Sequence, residues 1–191
     1  MQDKIKYQKI ILLGSGFLGV SILWSIYNAY VPLFLQAGRP DFNRSADIPG
    51  FGLDPTLTGF IMTIDNLTAL LILPFIGILS DRLKTRWGRR KPFIFIGAPI
   101  ALLGFIGIPI AVNISLFAFM IFIIVTIFAM DLFRTPIISM MPDITPSRQR
   151  SQANGIIIFM GGIGGLLGFI GGGLLFKVSS AAPFYFGGIL M

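Results

Sequence analysis

Five long apolar runs constrain the fold of this chain more than any other feature. They extend over about Ile10–Leu35, Leu57–Leu79, Pro92–Val112, Ile114–Met141 and Gly155–Phe176. A helix crosses the hydrocarbon core of a bilayer in roughly 20 residues, and a helix satisfies its own backbone hydrogen bonds there. Each run is therefore predicted to be a transmembrane helix. A sixth run begins near Ala182 and is too short to span before Met191.

The composition agrees with lipid as the main solvent. The chain is 54% hydrophobic and 12% charged, whereas a soluble domain is roughly 25% charged. It contains no cysteine and no histidine. Thiolate metal sites and Cys- or His-dependent catalysis are therefore unavailable. We expect an all-α membrane protein that is not an enzyme and that carries no cofactor or metal.

The basic residues predict the orientation of the helices. One side of the membrane receives Lys4, Lys6, Lys9, Arg82, Lys84, Arg86, Arg89, Arg90, Lys91, Arg148 and Arg150, and the other receives Arg39, Arg44 and Lys177. The positive-inside rule places the N-terminus in the cytoplasm, in a plasma or inner membrane. The net charge of +7 thus follows from topology, and nucleic acid is not expected as a partner.

The connection between the second and third helices carries the most specific motif. It combines Gly-x-Leu-Ser-Asp-Arg at 77–82 with Arg-Trp-Gly-Arg-Arg-Lys-Pro at 86–92. Positive charge alone could serve orientation, but it does not explain Asp81, Gly77 or Gly88. The pattern resembles the cytoplasmic loop motif of the major facilitator superfamily. Its extended form resembles the glycoside/pentoside/hexuronide symporters and the sucrose–proton carriers.

Two further segments are similar to the same carriers. They are the connection after the fourth helix, from Arg134 to Gly155, and Tyr27–Pro32 on the first helix. The resemblance implies that residues 1–191 are the N-terminal six-helix half of a major facilitator fold, with the sixth helix incomplete. The C-terminal half is absent, so a missing half or a complementary chain is an expected partner.

This resemblance implies a secondary active transporter, specifically a proton-coupled sugar symporter that works by alternating access. The substrate would lie between the two halves near the middle of the bilayer. Two alternatives stay open. The chain could belong to a carrier or exporter of a non-sugar solute, or it could be a non-transporting membrane subunit or truncated remnant.

Three ionisable residues lie inside the predicted spans, where such side chains are costly and mark functional sites. Asp131 and Arg134 are three residues apart and could pair. With Tyr27 and Asn28 they are the candidates for substrate binding. Asp65 is the candidate for proton coupling. Measured from the predicted helix ends, Asp65 and Arg134 lie at different depths, so no direct contact between them is expected.

The resemblance also implies a cytoplasmic network of charges that stabilises the outward-facing state. Its predicted members are Gly77, Asp81, Arg82, Arg86, Gly88, Arg89, Arg90, Asp143 and Arg150. The alternative is that the basic residues only orient the helices. The carboxylates Asp81 and Asp143 favour the network, because orientation does not require them.

Two sequence patterns bear on the coupling ion and on packing. In melibiose-type symporters, two carboxylates precede the proline that matches Pro74, and here those positions are Leu73 and Ala69. This departure favours a proton over sodium. Glycines spaced four apart on the fifth helix, including Gly161 and Gly165, predict close helix packing instead of a ligand site.

Overall fold

The computed structural model describes residues 7–42, 48–83, 85–86 and 88–191. Six α-helices follow one another: α1 (Tyr7–Gln36), α2 (Pro55–Arg82), α3 (Lys91–Ala111), α4 (Leu116–Ile144), α5 (Arg150–Phe176) and α6 (Ala182–Leu190). A 3-10 turn at Ser147–Gln149 leads into α5. Among the described residues, α1 to α5 are long and apolar enough to cross a membrane. The predicted all-α membrane fold is confirmed.

Two helices begin at polar residues that precede their apolar runs. The Asp54 carboxylate accepts a hydrogen bond of 2.8 Å from the backbone N–H of Thr56, and Pro55 occupies the first position of α2. Both features favour a helix start. The donation from Thr56 also lowers the pKa of the Asp54 carboxyl. At the other end of the chain, α5 begins at Arg150, not at Gly155, because its polar first turn is already helical.

The helices associate mainly in two pairs, α1 with α5 and α3 with α4. The α1–α5 pair depends on the absence of side chains. A methyl group at Gly164 would overlap the carbonyl oxygen of Leu18, and one at Gly168 would press on the carbonyl oxygen of Ile22. The buried residues of α5 include four glycines, Gly161, Gly164, Gly168 and Gly172. These glycines let the two backbones approach closely.

An aromatic cluster closes the end of the bundle opposite the basic loops. Phe34 stacks on Phe184 with ring centroids 5.7 Å apart and meets Phe119 edge-on at 6.2 Å. Phe51, from the α1–α2 connection, contacts Phe119 at 5.1 Å. The N–H of Phe51 also donates to the carbonyl oxygen of Phe34 at 3.0 Å. The end of this connection is therefore held against the bundle.

Helix α2 is the least buried of the five spanning helices. It packs mainly on α4 and has fewer contacts with α1. Its outer surface exposes large apolar side chains, including Phe60, Leu67, Leu70, Leu71 and Phe75. Such a continuous apolar surface is unfavourable in water and suits contact with lipid or another apolar helix. The molecule is a multi-pass membrane protein.

Candidate functional site

An open polar cavity of about 480 Å³ lies between α1, α2, α4 and α5. Its walls are formed by Phe17, Val20, Ser21, Trp24, Ser25, Asn28, Asp65, Asn66, Ala69, Arg134, Gly161 and Gly165. Pockets that bind small molecules typically have volumes of roughly 300–1,000 Å³. Three of the predicted site residues, Asn28, Asp65 and Arg134, line this one cavity.

Helix α1 supplies the longest wall because its polar side chains share one face. Ser21, Trp24, Ser25 and Asn28 follow one another at intervals that bring residues onto the same side of a helix. The opposite face of α1, around Leu23, is buried in the core. Asn28 was predicted from the sequence, whereas Ser21 and Ser25 were not. Their spacing on one face of an apolar helix could have indicated that they line a cavity.

Asp65 and Arg134 line the same cavity, although they lie toward opposite ends of the bundle along their helices. Asp65 is ten residues from the start of α2 (65 − 55) and Arg134 is ten from the end of α4 (144 − 134), or about 15 Å along each helix. The start of α2 is at the aromatic end of the bundle and the end of α4 is at the basic end. Because these helices are roughly 42 Å long, the expected difference in depth remains. No hydrogen bond or ion pair joins them in the described part of the chain.

The Arg134 guanidinium lies over an aromatic ring of α1. Its central carbon is 5.9 Å from the centroid of the Trp24 ring, within the range of a cation–π contact. Tyr27 meets the same ring edge-on, with centroids 5.5 Å apart. Tyr27 is fully buried and supports Trp24 from behind, instead of facing the cavity as predicted. Trp24 and Arg134 therefore form one fixed surface on the cavity wall.

Asp131 is fully buried and does not line the cavity. Neither of its carboxylate oxygens has a hydrogen-bond partner among the described residues, and the Nε of Arg134 has none either. The pairing of Asp131 with Arg134 that their spacing allowed is not formed. Three residues turn a helix by about 300°, so the two side chains leave it some 60° apart. Asp131 enters the bundle while Arg134 extends over Trp24.

The wall on α5 consists of bare backbone at Gly161 and Gly165. The carbonyl oxygen of Gly165 accepts a hydrogen bond of 2.8 Å from the Ser25 hydroxyl. A methyl group at Gly165 would meet no described atom within 4 Å, whereas one at Gly161 would lie 2.6 Å from the Phe17 ring. The sequence reasoning assigned both glycines to packing. Gly165 lines the cavity because it is adjacent to Gly164 in the sequence and therefore lies beside the face of α5 that packs on α1.

At the basic end of the bundle, Arg90 connects the ends of three helices. Its Nη2 lies 3.0 Å from Oδ1 of Asp81, in the last turn of α2, and its Nε lies 3.1 Å from Oδ2 of Asp143, in the last turn of α4. Arg90 immediately precedes α3. Its side chain is 13% exposed, and the carboxylates are 61% and 57% exposed. The α2–α3 loop and the end of α4 therefore lie at the same end, as the predicted topology requires.

Two other predicted members of the network support its geometry. Gly88 has a φ of +102°, a conformation that favours glycine. Its carbonyl oxygen accepts a hydrogen bond of 2.6 Å from the Thr85 hydroxyl, and this turn positions Arg90. Arg150 donates to the carbonyl oxygen of Pro142 at 3.3 Å, one residue before Asp143.

The remaining predicted members take no part in these contacts. Arg82, Arg86 and Arg89 are exposed and form no ion pair within the described ranges. Gly77 lies inside α2, and a methyl group there would meet no described atom within 4 Å. Of the basic residues that predicted the orientation, Lys4, Lys6, Arg44 and Lys84 lie outside the described residues.

Comparison with known proteins identifies the family. Residues 10–191 match the Major Facilitator Superfamily. This chain belongs to the major facilitator superfamily. Members of the superfamily are transporters and not enzymes, in agreement with the prediction. The predicted fold, the N-terminal six-helix half of a major facilitator protein, is confirmed with it.

Similar superfamily members include proteins named as sugar permeases. The chain is 27% identical over 186 residues to Solute carrier family 45 member 4 of Mus musculus, covering 90% of this chain and 22% of that protein. It is 28% identical over 190 residues to the General alpha-glucoside permease of Schizosaccharomyces pombe, covering 92% and 32%. It is 29% identical over 160 residues to the Lactose permease of Lactobacillus helveticus, covering 81% and 24%. The chain thus spans between a fifth and a third of each of these relatives.

Proposed function

We propose that this chain is the N-terminal half of a proton-coupled sugar transporter that works by alternating access. The observation that carries this proposal is the cavity where Trp24, Asn28, Asp65 and Arg134 meet near the middle of the bundle. The names of several relatives, among them permeases for lactose and alpha-glucosides, support a sugar as the solute. The complete site includes a second half, since these relatives are about three to four times as long as this chain.

The chemistry of the cavity suits a neutral ring with several hydroxyl groups. The Trp24 ring offers a flat apolar surface for the face of a sugar. Arg134 donates hydrogen bonds, Asp65 accepts them, and Asn28 and Asn66 do both. Hydrogen bonds to charged groups are the stronger ones, at about 1.5–3 kcal/mol each. Arg134 and Asp65 therefore make the largest contributions to affinity.

Asp65 is our proposed site of proton coupling. It lines the cavity, so its carboxylate can exchange a proton with water and respond to the solute. Its Oδ1 accepts hydrogen bonds from the backbone and side-chain nitrogens of Asn66, at 2.6 and 2.8 Å. The neighbouring position that carries a carboxylate in melibiose-type symporters is Ala69, which also lines the cavity. A single carboxylate on this wall favours a proton over sodium.

The ion pairs of Arg90 are our proposed latch for the outward-facing state. The basic end then faces the cytoplasm, together with the N-terminus, as the positive-inside rule predicts. When the halves rock, the contacts from Arg90 to Asp81 and Asp143 break and the cytoplasmic side opens. A latch that spans three helix ends can bias such a two-state equilibrium, because each state is stabilised by a different set of contacts.

Uptake by the complete protein in proteoliposomes tests this proposal. An acidic exterior should drive accumulation of a labelled disaccharide or alpha-glucoside, and a protonophore should abolish it. Trp24→Ala should reduce uptake strongly, while Phe60→Ala, an aromatic truncation on the exposed face of α2, should change it little. If no saccharide accumulates and another solute does, the carrier is a non-sugar transporter. Accumulation driven by sodium alone would contradict the assignment of the proton.

A further inference from the structure

Six of the nine glycines of α5 form two groups with different surroundings. At Gly161, Gly164, Gly168 and Gly172, an added methyl group would come within about 3 Å of α1 atoms, so the absence of a side chain is required for packing. At Gly162 and Gly165, an added methyl group would meet no described atom within 4 Å. Packing therefore does not account for Gly162 and Gly165, and of these two Gly165 lines the cavity.

The backbone at Gly165 is held at a fixed distance from α1. The Ser25 hydroxyl donates to the Gly165 carbonyl oxygen at 2.8 Å, and Gly164 and Gly168, on both sides of Gly165, pack directly on the α1 backbone. A side chain at position 165 would start from the cavity wall and its first carbon would meet no described atom within 4 Å, so it would extend into the cavity. In a closely packed protein, added atoms either strain their neighbours or fill an existing cavity.

We infer that Gly165 limits the size of the solute that the cavity accepts. This inference rests on the proposed sugar function and names a residue that sets its size limit. The bare backbone of α5 leaves the space between it and the Trp24–Arg134 surface unoccupied by protein, which adds room beyond a single stacked ring. A monosaccharide needs only the stacked position on Trp24, whereas a second ring needs the space beside Gly165.

The expected effect follows from the volumes. A methyl group takes up about as much space as one water molecule, roughly 30 Å³, out of a cavity of about 480 Å³. A leucine side chain removes several times more. In a fitted pocket a single methylene changes discrimination by roughly 10- to 200-fold. Gly165→Leu should therefore weaken disaccharide binding at least tenfold relative to monosaccharide binding, with a smaller change for Gly165→Ala.

Equilibrium binding of a disaccharide and of its constituent monosaccharide to the complete transporter tests the inference. Gly162→Ala and Gly162→Leu are matched controls, because position 162 is equally open and lies outside the cavity wall. The ratio of the two affinities should fall in the Gly165 variants and stay at the wild-type value in the Gly162 variants. An unchanged ratio in Gly165→Leu, or an equal change in Gly162→Leu, would overturn the inference.

A second measurement separates this inference from the proposed sugar function. The 191 residues contain no cysteine, so Gly165→Cys, Gly162→Cys and Asn28→Cys each introduce a single thiol whose labelling can be located by peptide mass spectrometry. Water-soluble thiol reagents should modify positions 165 and 28, and position 165 should react more slowly as the reagent becomes larger. Protection of position 165 by a disaccharide supports both proposals. Reaction at 165 without protection by any saccharide would refute the sugar function alone. An unreactive 165 beside a reactive 28 would refute the cavity role of Gly165.

Discussion

Neutralising Arg90 should open the basic end of the transporter. Arg90→Gln removes the charge that contacts Asp81 at 3.0 Å and Asp143 at 3.1 Å. Exposed ion pairs contribute about 0–1 kcal/mol, and buried hydrogen bonds to charged groups about 1.5–3 kcal/mol. The Arg90 side chain is mostly buried while its partners are more than half exposed, so we expect about 1–3 kcal/mol in total. That free energy shifts the equilibrium between closed and open states roughly 5- to 150-fold.

Distances between spin labels placed across the basic end of the complete protein would measure this shift directly. Arg89→Gln is the matched control, because it removes the same charge from the adjacent residue, which forms no ion pair in the described part of the chain. The Arg90→Gln and Asp143→Asn effects should also be non-additive, since the two residues share a contact. Additive effects, or a shift by Arg89→Gln as large as that by Arg90→Gln, would refute the latch.

Three other predictions concern coupling, packing and a helix cap. Asp65→Asn should abolish proton-driven accumulation while preserving exchange of labelled for unlabelled solute across proteoliposomes, and persistent accumulation would exclude Asp65 as the coupling residue. Gly164→Ala should destabilise the protein by about 1–3 kcal/mol because its methyl group overlaps the α1 backbone, whereas Gly162→Ala should be neutral or stabilise by about 0.5–1 kcal/mol; equal thermal unfolding temperatures would contradict this. Because the Thr56 N–H lowers the pKa of Asp54 below its ordinary value of 3.8, the ionised carboxylate stabilises the fold above pH 3.8 and this contribution is lost as the pH falls through the lowered pKa. The difference in unfolding temperature between the wild type and Asp54→Ala should therefore shrink below about pH 4, and a difference that is constant from pH 7 to pH 3 would contradict it.

The fold could be predicted from the sequence because lipid imposes a simple rule. Apolar runs of sufficient length must be helices, and the basic residues between them cluster at one end. The predicted ends were less accurate, since polar turns such as Arg150–Asn154 and caps such as Asp54 continue a helix beyond its apolar part. Nothing in the sequence indicated that Asp65 and Arg134, which it places at different depths, line one cavity.

The finer organisation of the site depends on contacts between helices, which periodicity within one helix does not describe. Asp131 and Tyr27 have the chemistry of binding residues, yet both are buried behind the wall because α4 and α1 turn them into the bundle. Gly165 has no side chain that could indicate a binding role in the sequence, and only the open space beside it in the structure reveals its position in the cavity wall. Of the arginines at the basic end, Arg90 alone is seen to reach two carboxylates in the described residues, because of the turn at Gly88.

Direct binding of a saccharide to the complete transporter tests the central claim, which is that the cavity under Arg134 holds the solute. Titration calorimetry should show that the wild type and Arg148→Gln, which removes an equal charge outside the cavity, bind a disaccharide with the same affinity. Arg134→Gln should bind it about 10- to 150-fold more weakly, because it loses hydrogen bonds from a charged donor. Equal binding by Arg134→Gln and the wild type would contradict the account, as would the absence of any saccharide binding by the wild type.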